Sequence, residues 1–275
     1  LAALISDLKE TAPQMNFSSE LSEGIERCSK EYCWALIARI ALYRGGYSLR
    51  PGDSKTDVGT MQRSTDYADY YEIARDYCDS VITSGTHALT KDYYSVFIDE
   101  CNYRVASGDD PIFEIPFAKE STGNTGYSQG PTSTVNEGKT LGKNVWGESK
   151  GDIRLSAFYR YSFDENDKRR DFINGLWYYG NSANNATQDS CMIRADYTVH
   201  NNKWSKLWAN AGQFTNLSAS NTGINFPYMR YTDVLLMNAE AVNELEGPTA
   251  TAQESLRQVH ARAFDDQSVV SAYIA

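Results

Sequence analysis

The side chains best equipped for chemistry in this sequence are aromatic rings set beside amides and charges, in stretches otherwise rich in Gly, Ser, Thr and Asn. Trp146 lies between Asn144 and Glu148 in the polar segment from Lys119 to Lys150, and Tyr127 stands two residues before Gln129 in the same segment. Trp177, Tyr178 and Tyr179 form a second aromatic run. A flat ring offers an apolar face, amides and charged groups pair hydroxyls, and a buried polar group left unpaired costs about 1–3 kcal/mol. That combination suits the axial C–H face and hydroxyl rim of a sugar, held without bond cleavage. On this reading Trp146, Tyr127, Asn144, Gln129, Trp177 and Tyr178 are the ligand-contacting candidates, chosen by position. At least two of Tyr127, Trp146 and Trp177 are expected to share one solvent-open surface. Packing is the competing account: a loop anchor for Trp146, strand packing for Trp177 and its neighbours. Trp204 and Trp208, four residues apart, are expected to form a helix stripe.

Catalysis finds no support in the spacing. A glycoside hydrolase needs two carboxylates across one bond, and nothing selects a pair from the 36 acidic residues. His87, His200 and His260 are dispersed, and no HExxH, GxSxG or GxGxxG pattern occurs. No cofactor is expected. Asp164-Glu165-Asn166-Asp167 could touch a structural calcium ion, although it lacks the alternation and glycine of an EF-hand loop.

Composition narrows the classes further. With 26 basic and 36 acidic residues the formal charge is -10, a balance that repels phosphate backbones, so nucleic acid is excluded as a partner. No run approaches the roughly 20 apolar residues that span a bilayer. The start at Leu1 without Met leads to the expectation that upstream residues, and any targeting signal with them, are absent from this chain. Cys28, Cys33, Cys78, Cys101 and Cys191 are widely spaced without a CxxC pair, and buried free thiols are expected.

The elements that must position the candidates are mainly helical. Lys30 to Arg44 is rich in helix formers, with apolar residues at spacings of three and four, and Gly45-Gly46 is expected to stop it through the left-handed conformation. Asp66 to Ser84 carries a stripe of Tyr67, Tyr70, Ala74, Tyr77, Cys78 and Val81 closed by Gly85. The pair, with Ala35, Ala38 and Ala74 at the contact, resembles a tetratricopeptide-type hairpin. A short helix near Asp92 to Phe97 and a strand over Pro111 to Phe117 follow. Ile153 to Phe163 reads as a helix, and Asp171 to Gly180 and Cys191 to Val199 as strands. Arg230 to Leu245 is the strongest helix, ending at Gly247-Pro248, and Thr251 with Glu254 is expected to box the start of the next.

The stretch Phe226-Pro227-Tyr228-Met229-Arg230-Tyr231-Thr232-Asp233 and its continuation to Ala239-Glu240-Ala241 resembles the SusD/RagB family signature, a Pro before Arg-Tyr, an acid, apolar residues and Ala-Glu-Ala. Lys30 to Gly45, Tyr71 to Leu89, Asp110 to Phe117 and Phe163 to Arg170 resemble further family segments in the same order. The resemblance is to an internal portion of longer proteins. It implies one SusD-like region over residues 1–275, mainly α with a small β component. Residues 1–110 would form a helical hairpin part, 111–225 a loop and short-strand part, and 226–275 the C-terminal helices. It also implies oligosaccharide capture at the bacterial cell surface and delivery to a SusC-like TonB-dependent transporter, with outer-membrane attachment through a lipid anchor that this chain lacks. A glycoside hydrolase and a purely structural helical adaptor of the transporter complex remain the alternatives. Arg230 and Glu240 are read as members of structural ion pairs, and Asp167-Arg169-Arg170 as either such a pair or a solvated cluster.

Overall fold

A computed structural model describes residues 1–50, 59–133, 148–179, 191–193, 199–210, 212–215 and 220–274, with residues 178, 179 and 191–193 placed by their backbone alone. In chain order the first elements are α1 (Ala2–Thr11), α2 (Lys30–Gly45), β1 (Ser48–Arg50), β2 (Thr60–Gln62), α3 (Tyr67–Ser84) and α4 (Tyr93–Cys101). Next come β3 (Pro111–Ile115), β4 (Arg154–Leu155), α5 (Ala157–Tyr161), α6 (Lys168–Ile173), β5 (Asn174–Gly175), β6 (Trp177–Tyr179), β7 (Cys191–Ile193) and β8 (Val199–Asn201). The chain closes with β9 (Phe226–Arg230), α7 (Tyr231–Glu246), α8 (Ala250–Ala261) and α9 (Gln267–Ile274). The fold is mainly α with a small β component. β1 pairs with β2, β3 with β9, β6 with β7, and β8 lies between β4 and β5. Two compact units result, one of residues 1–90, 107–113 and 228–275, the other of 91–106 and 114–227.

The first unit is built on α2, α3 and α7. Ser29 caps α2, its hydroxyl accepting from the Tyr32 N–H at 3.3 Å, and Ala35, Ile37, Ala38 and Ala41 are fully buried. Such small residues let helix axes approach closely. Gly85 ends α3 with φ +63°, in the left-handed conformation expected of it. Gly45 and Gly46 act otherwise, since neither has a positive φ. A Cβ on Gly45 would lie 2.9 Å from the Tyr67 carbonyl oxygen and 3.1 Å from the Tyr70 Cβ. The glycine is there so that the end of α2 can touch the start of α3.

Asp110, 1% exposed, fixes the start of α7. Its Oδ1 accepts from the Thr232 N–H at 2.9 Å and the Thr232 hydroxyl at 2.8 Å. Its Oδ2 meets Arg230 Nη1 at 3.2 Å and Arg262 Nη1 at 3.0 Å. The Asp233 carboxylate accepts the Arg230 backbone N–H at 2.8 Å, closing the first turn. Burial alone would push the Asp110 carboxyl up, but the two guanidiniums and Thr232 hold it below its ordinary value. Arg230 thus belongs to a buried pair as expected. Glu240 does not, being exposed and without an ion-pair partner among the described residues.

Several short elements depart from the sequence reading. The helix expected over Ile153 to Phe163 is cut to α5 because Arg154 and Leu155 pair with His200 and Val199 of β8. Ser156 then caps the remaining turn, accepting from the Phe158 N–H at 3.2 Å. The strand expected from Asp171 begins only at Asn174, since Asp167 caps α6 by accepting from the Arg169 N–H at 2.9 Å. Trp204 and Trp208 share no helix: a 3-10 turn covers Lys206–Trp208, and both rings pack in the second unit's core with Phe97, Phe172 and Phe226. α8 is capped by Thr249, which accepts from the Ala252 N–H at 3.4 Å, rather than by Thr251, and Glu254 pairs instead with Arg257. Cys33, Cys78 and Cys101 are buried free thiols, whereas Cys28 is exposed. Among the described residues no helix is long and apolar enough to cross a membrane.

Two substitutions test this packing. Gly45→Ala is expected to lose about 1–3 kcal/mol by overpacking the α2–α3 contact, read from urea unfolding. Asp110→Asn is expected to lose about 3–5 kcal/mol, because two guanidiniums lose their shared counter-charge. The folded Asp110 carboxyl titrates below its unfolded value of about 3.9, so its contribution is complete above roughly pH 5 and is lost as pH falls through the folded value. Unfolding titrations at pH 3–6 should show a shallower acid-side loss in the variant.

Candidate functional site

In the second unit the polar segment that carries Tyr127 and Gln129 is laced at its base. The Asn124 carbonyl accepts from the N–H groups of Tyr127 and Ser128, each at 3.0 Å, folding a tight turn. Gly126 and Gly130 take φ +64° and +96°, and a Cβ on Gly126 would come within 2.7 Å of Ile224 Cδ1, so this turn is pressed onto the core. The Tyr127 carbonyl gathers three donors: Lys150 N at 2.9 Å, Gly151 N at 3.2 Å and the Ser149 hydroxyl at 2.9 Å. Ser133 and Ser149 exchange two backbone bonds of 2.9 Å, and the Ile153 N–H reaches the Ser128 carbonyl at 3.1 Å. The outgoing and returning arms of the segment are therefore one rigid piece.

Beneath this piece lies Lys206, 3% exposed. Its ammonium donates to the Glu148 carbonyl at 2.7 Å and stands 5.7 Å from the Tyr127 ring and 4.9 Å from the Phe214 ring. Burial lowers its pKa to about 8, partly opposed by the charges of Glu148 and Glu120. The half-buried Tyr127 ring also has Lys150 Nζ at 5.9 Å. Gln129, half-buried, accepts through Oε1 from the Asn201 amide at 2.7 Å, which fixes its orientation against β8. Arg154 bonds His200 and donates to the Thr132 hydroxyl at 3.2 Å.

The segment leads through Ile153, whose side chain is 46% exposed, into α5. There Phe158 is 84% exposed and Tyr161 66% exposed, with Tyr159 turned edge-on to Phe163 at 5.0 Å between ring centres. Arg160 anchors this single turn, pairing with Asp171 at 2.9 Å, so the two rings are held out on a fixed support. Trp177 is half-buried in β6, opposite Ile193. Among the described residues no contact joins its ring to that of Tyr127. Tyr178 sits beside it in β6, opposite Met192. Trp146 and Asn144 lie outside the described residues.

Phe158 and Tyr161 do not stand out in the sequence because Phe158-Tyr159-Arg160-Tyr161 falls inside the helix expected over Ile153 to Phe163. Phe158 and Tyr161, at i and i+3, share one helix face, while Tyr159 lies about 100° away; three rings over an arc of about 160° on so short a turn are the available signal. The acidic turn is committed to protein contacts: Asp164 Oδ1 accepts from the Asn166 N–H at 2.8 Å, and buried Asp167 pairs with Arg169 at 2.6 Å. Among the described residues no group of three or more His, Cys, Asp or Glu is arranged to hold a metal ion.

A helical unit whose signature helix starts on a buried acid, joined to a loop-rich unit with aromatics on laced turns, defines a class seen in several solved structures. The chain belongs to the SusD family, whose profile matches residues 109–275. A SusD homologue from Bacteroides thetaiotaomicron is similar with a TM-score of 0.73 at 19% identity, over 98% of this chain and 54% of that one. A SusD superfamily protein from Parabacteroides distasonis gives 0.65 at 21% identity, over 98% and 52%. Surface glycan-binding protein A from Bacteroides thetaiotaomicron, solved in complex with laminarihexaose, gives 0.61 at 18%, over 94% and 52%. At these identities the likeness is one of fold, and the chain spans about half the length of these proteins. No curated protein matches the chain.

Lys206 yields a direct test. Its folded pKa of about 8 lies below the ordinary 10.5, so between those values the unfolded chain binds more protons and stability rises with pH, by up to about 1.4 kcal/mol per unit. Lys206→Met should flatten that rise relative to the parent, read by urea unfolding at pH 7.5 and 9.5.

Proposed function

We propose that this protein holds an oligosaccharide on aromatic side chains of its second unit and does not cleave it. The observation that carries the reading is the pair of rings on α5, Phe158 and Tyr161, held in solvent by an anchored turn. Large exposed aromatic faces on a fixed support gain by covering apolar surface, about 25 cal/mol per Å². A pyranose offers a matching apolar face, and its hydroxyls suit amide and guanidinium groups such as those of Gln129 and Arg154. Tyr127, Gln129, Trp177 and Tyr178 are proposed to contribute to ligand contact, together with Asn144 and Trp146 by their sequence position. The complex of the similarly folded glycan-binding protein with laminarihexaose supports the same reading.

Binding without hydrolysis fits the carboxylates near α5. A glycosidase acid must keep a raised pKa, whereas the Arg170 guanidinium, with Arg160, holds the Asp171 carboxyl below its ordinary value. Asp167 is paired with Arg169. The family relationship supports a place at the outer face of the bacterial outer membrane through a lipid anchor, and a SusC-like TonB-dependent transporter as the partner that receives the glycan.

Calorimetric titration with laminarihexaose and a panel of other neutral oligosaccharides tests the binding claim. Phe158→Ala and Tyr161→Ala should each weaken the best ligand roughly 5- to 30-fold, about 1–2 kcal/mol, with folding unchanged because both rings are exposed. A folded protein that binds nothing in the panel, or binding untouched by both substitutions, would sink the proposal, and release of reducing sugar would identify a hydrolase instead.

A further inference from the structure

The first unit carries a second aromatic surface that the reading above does not use. Tyr43, near the end of α2, is 74% exposed, and Tyr47, just beyond it, is 61% exposed. A cavity of about 400 Å³ is lined by Tyr43 with Arg39, Tyr47, Tyr71 and Glu240. A second hollow, a groove of about 1010 Å³, is lined by Arg44, Arg50, Gln62 and Arg63 as well as Tyr43. Tyr43 lines both hollows. The groove alone is at the upper end of the about 300–1,000 Å³ that small-molecule sites provide.

The walls are built rather than loose. The Arg63 guanidinium lies 3.5 Å from the centre of the Tyr67 ring and 5.0 Å from that of Tyr47, and it pairs with Glu244. Arg44 lies 4.4 Å over Tyr70 and pairs with Asp66 at 3.0 Å. Arg39 pairs with Asp233 at 3.4 Å. Each of these charges is balanced within the protein. Arg50 is different: it is exposed, on β1, and has no carboxylate partner among the described residues. Tyr43 likewise takes part in no ring contact among the described residues, which leaves its faces open.

We propose that Tyr43 and the groove ending at Arg50 form a second carbohydrate site, separate from α5, that takes a carboxylate-bearing oligosaccharide such as a chain of uronic acids. One sugar ring stacks on Tyr43, and a sugar carboxylate meets the Arg50 guanidinium in the planar, paired geometry that arginine favours. Gln62 and the pocket wall at Glu240 and Arg39 supply partners for hydroxyls. The overall charge of -10 opposes an anionic ligand at long range. Screening over about 8 Å at physiological salt leaves Arg50, which has no carboxylate partner among the described residues, to decide. The proposal stands without the α5 site, because it rests on different residues in a different unit.

Calorimetric titration of the full chain with trigalacturonic acid, and with maltotriose as a neutral trimer, tests it. Trigalacturonic acid should bind at least fivefold more tightly than maltotriose in this groove, and its affinity should fall as salt rises. Tyr43→Ala should weaken it at least tenfold, Tyr43→Phe should retain it, and Arg50→Gln should weaken it at least fivefold and remove most of the salt dependence. Tyr161→Ala on α5 should leave it unchanged. The proposal is overturned if trigalacturonic acid does not bind, if binding survives Tyr43→Ala or Arg50→Gln, or if Tyr161→Ala abolishes it. Both altered positions are exposed, and an unchanged thermal melt in each variant separates a lost site from a lost fold.

Discussion

The carboxylate of Asp110 is buried where an unpaired charge would be severely penalised, and the surrounding chain is arranged to prevent that penalty. Thr232 supplies two hydrogen bonds, Arg230 and Arg262 supply the counter-charge, and the Asp110 carbonyl accepts the Tyr231 N–H at 2.6 Å. These partners come from three places: the strand before α7, the first turn of α7, and the end of α8. One acid therefore sets both where the signature helix begins and how the following helix returns to it. The neighbouring Asp109 extends the arrangement, its carboxylate accepting from the Thr90 hydroxyl at 2.9 Å and its carbonyl bonding the His87 ring at 2.9 Å.

With that anchor in place the two units divide the work by composition. The first is a helical frame in which alanines and one glycine allow close approach, and its core runs from Ile5 through α2 and α3 to Leu235 and Val259. The second has its own smaller core, an aromatic stack of Phe97, Phe172, Trp204 and Trp208. Large rings suit a unit with little regular structure, since each buries much area and its polar edge still finds a partner. Trp204 Nε1 donates to Glu100 at 2.6 Å, and Trp208 Nε1 to the Asn202 carbonyl at 2.7 Å.

The long helices could be read from the sequence because their cause is local. Apolar spacing and the caps at Ser29, Gly85 and Gly247 lie within the segments themselves. The short elements of the second unit could not, because their cause is distant. Arg154 and Leu155 become strand only by meeting β8, some 45 residues on. Gln129 is oriented by Asn201, and Lys206 is buried under Glu148, contacts that leave no periodic trace. The same limit applied to the candidate side chains. Tyr127 and Gln129 do lie on one laced turn, yet the exposed rings on α5 fall within a longer expected helix, and among the described residues Glu240 has no ion partner.

The paired serines at 133 and 149 have an evolutionary corollary. Because the strands of chain entering and leaving the intervening stretch are already fastened to each other, its length can drift with little energetic penalty, about 0.6 kcal/mol for each doubling. Such a hem lets the intervening sequence be rewritten by insertion or deletion while the supporting scaffold is inherited intact.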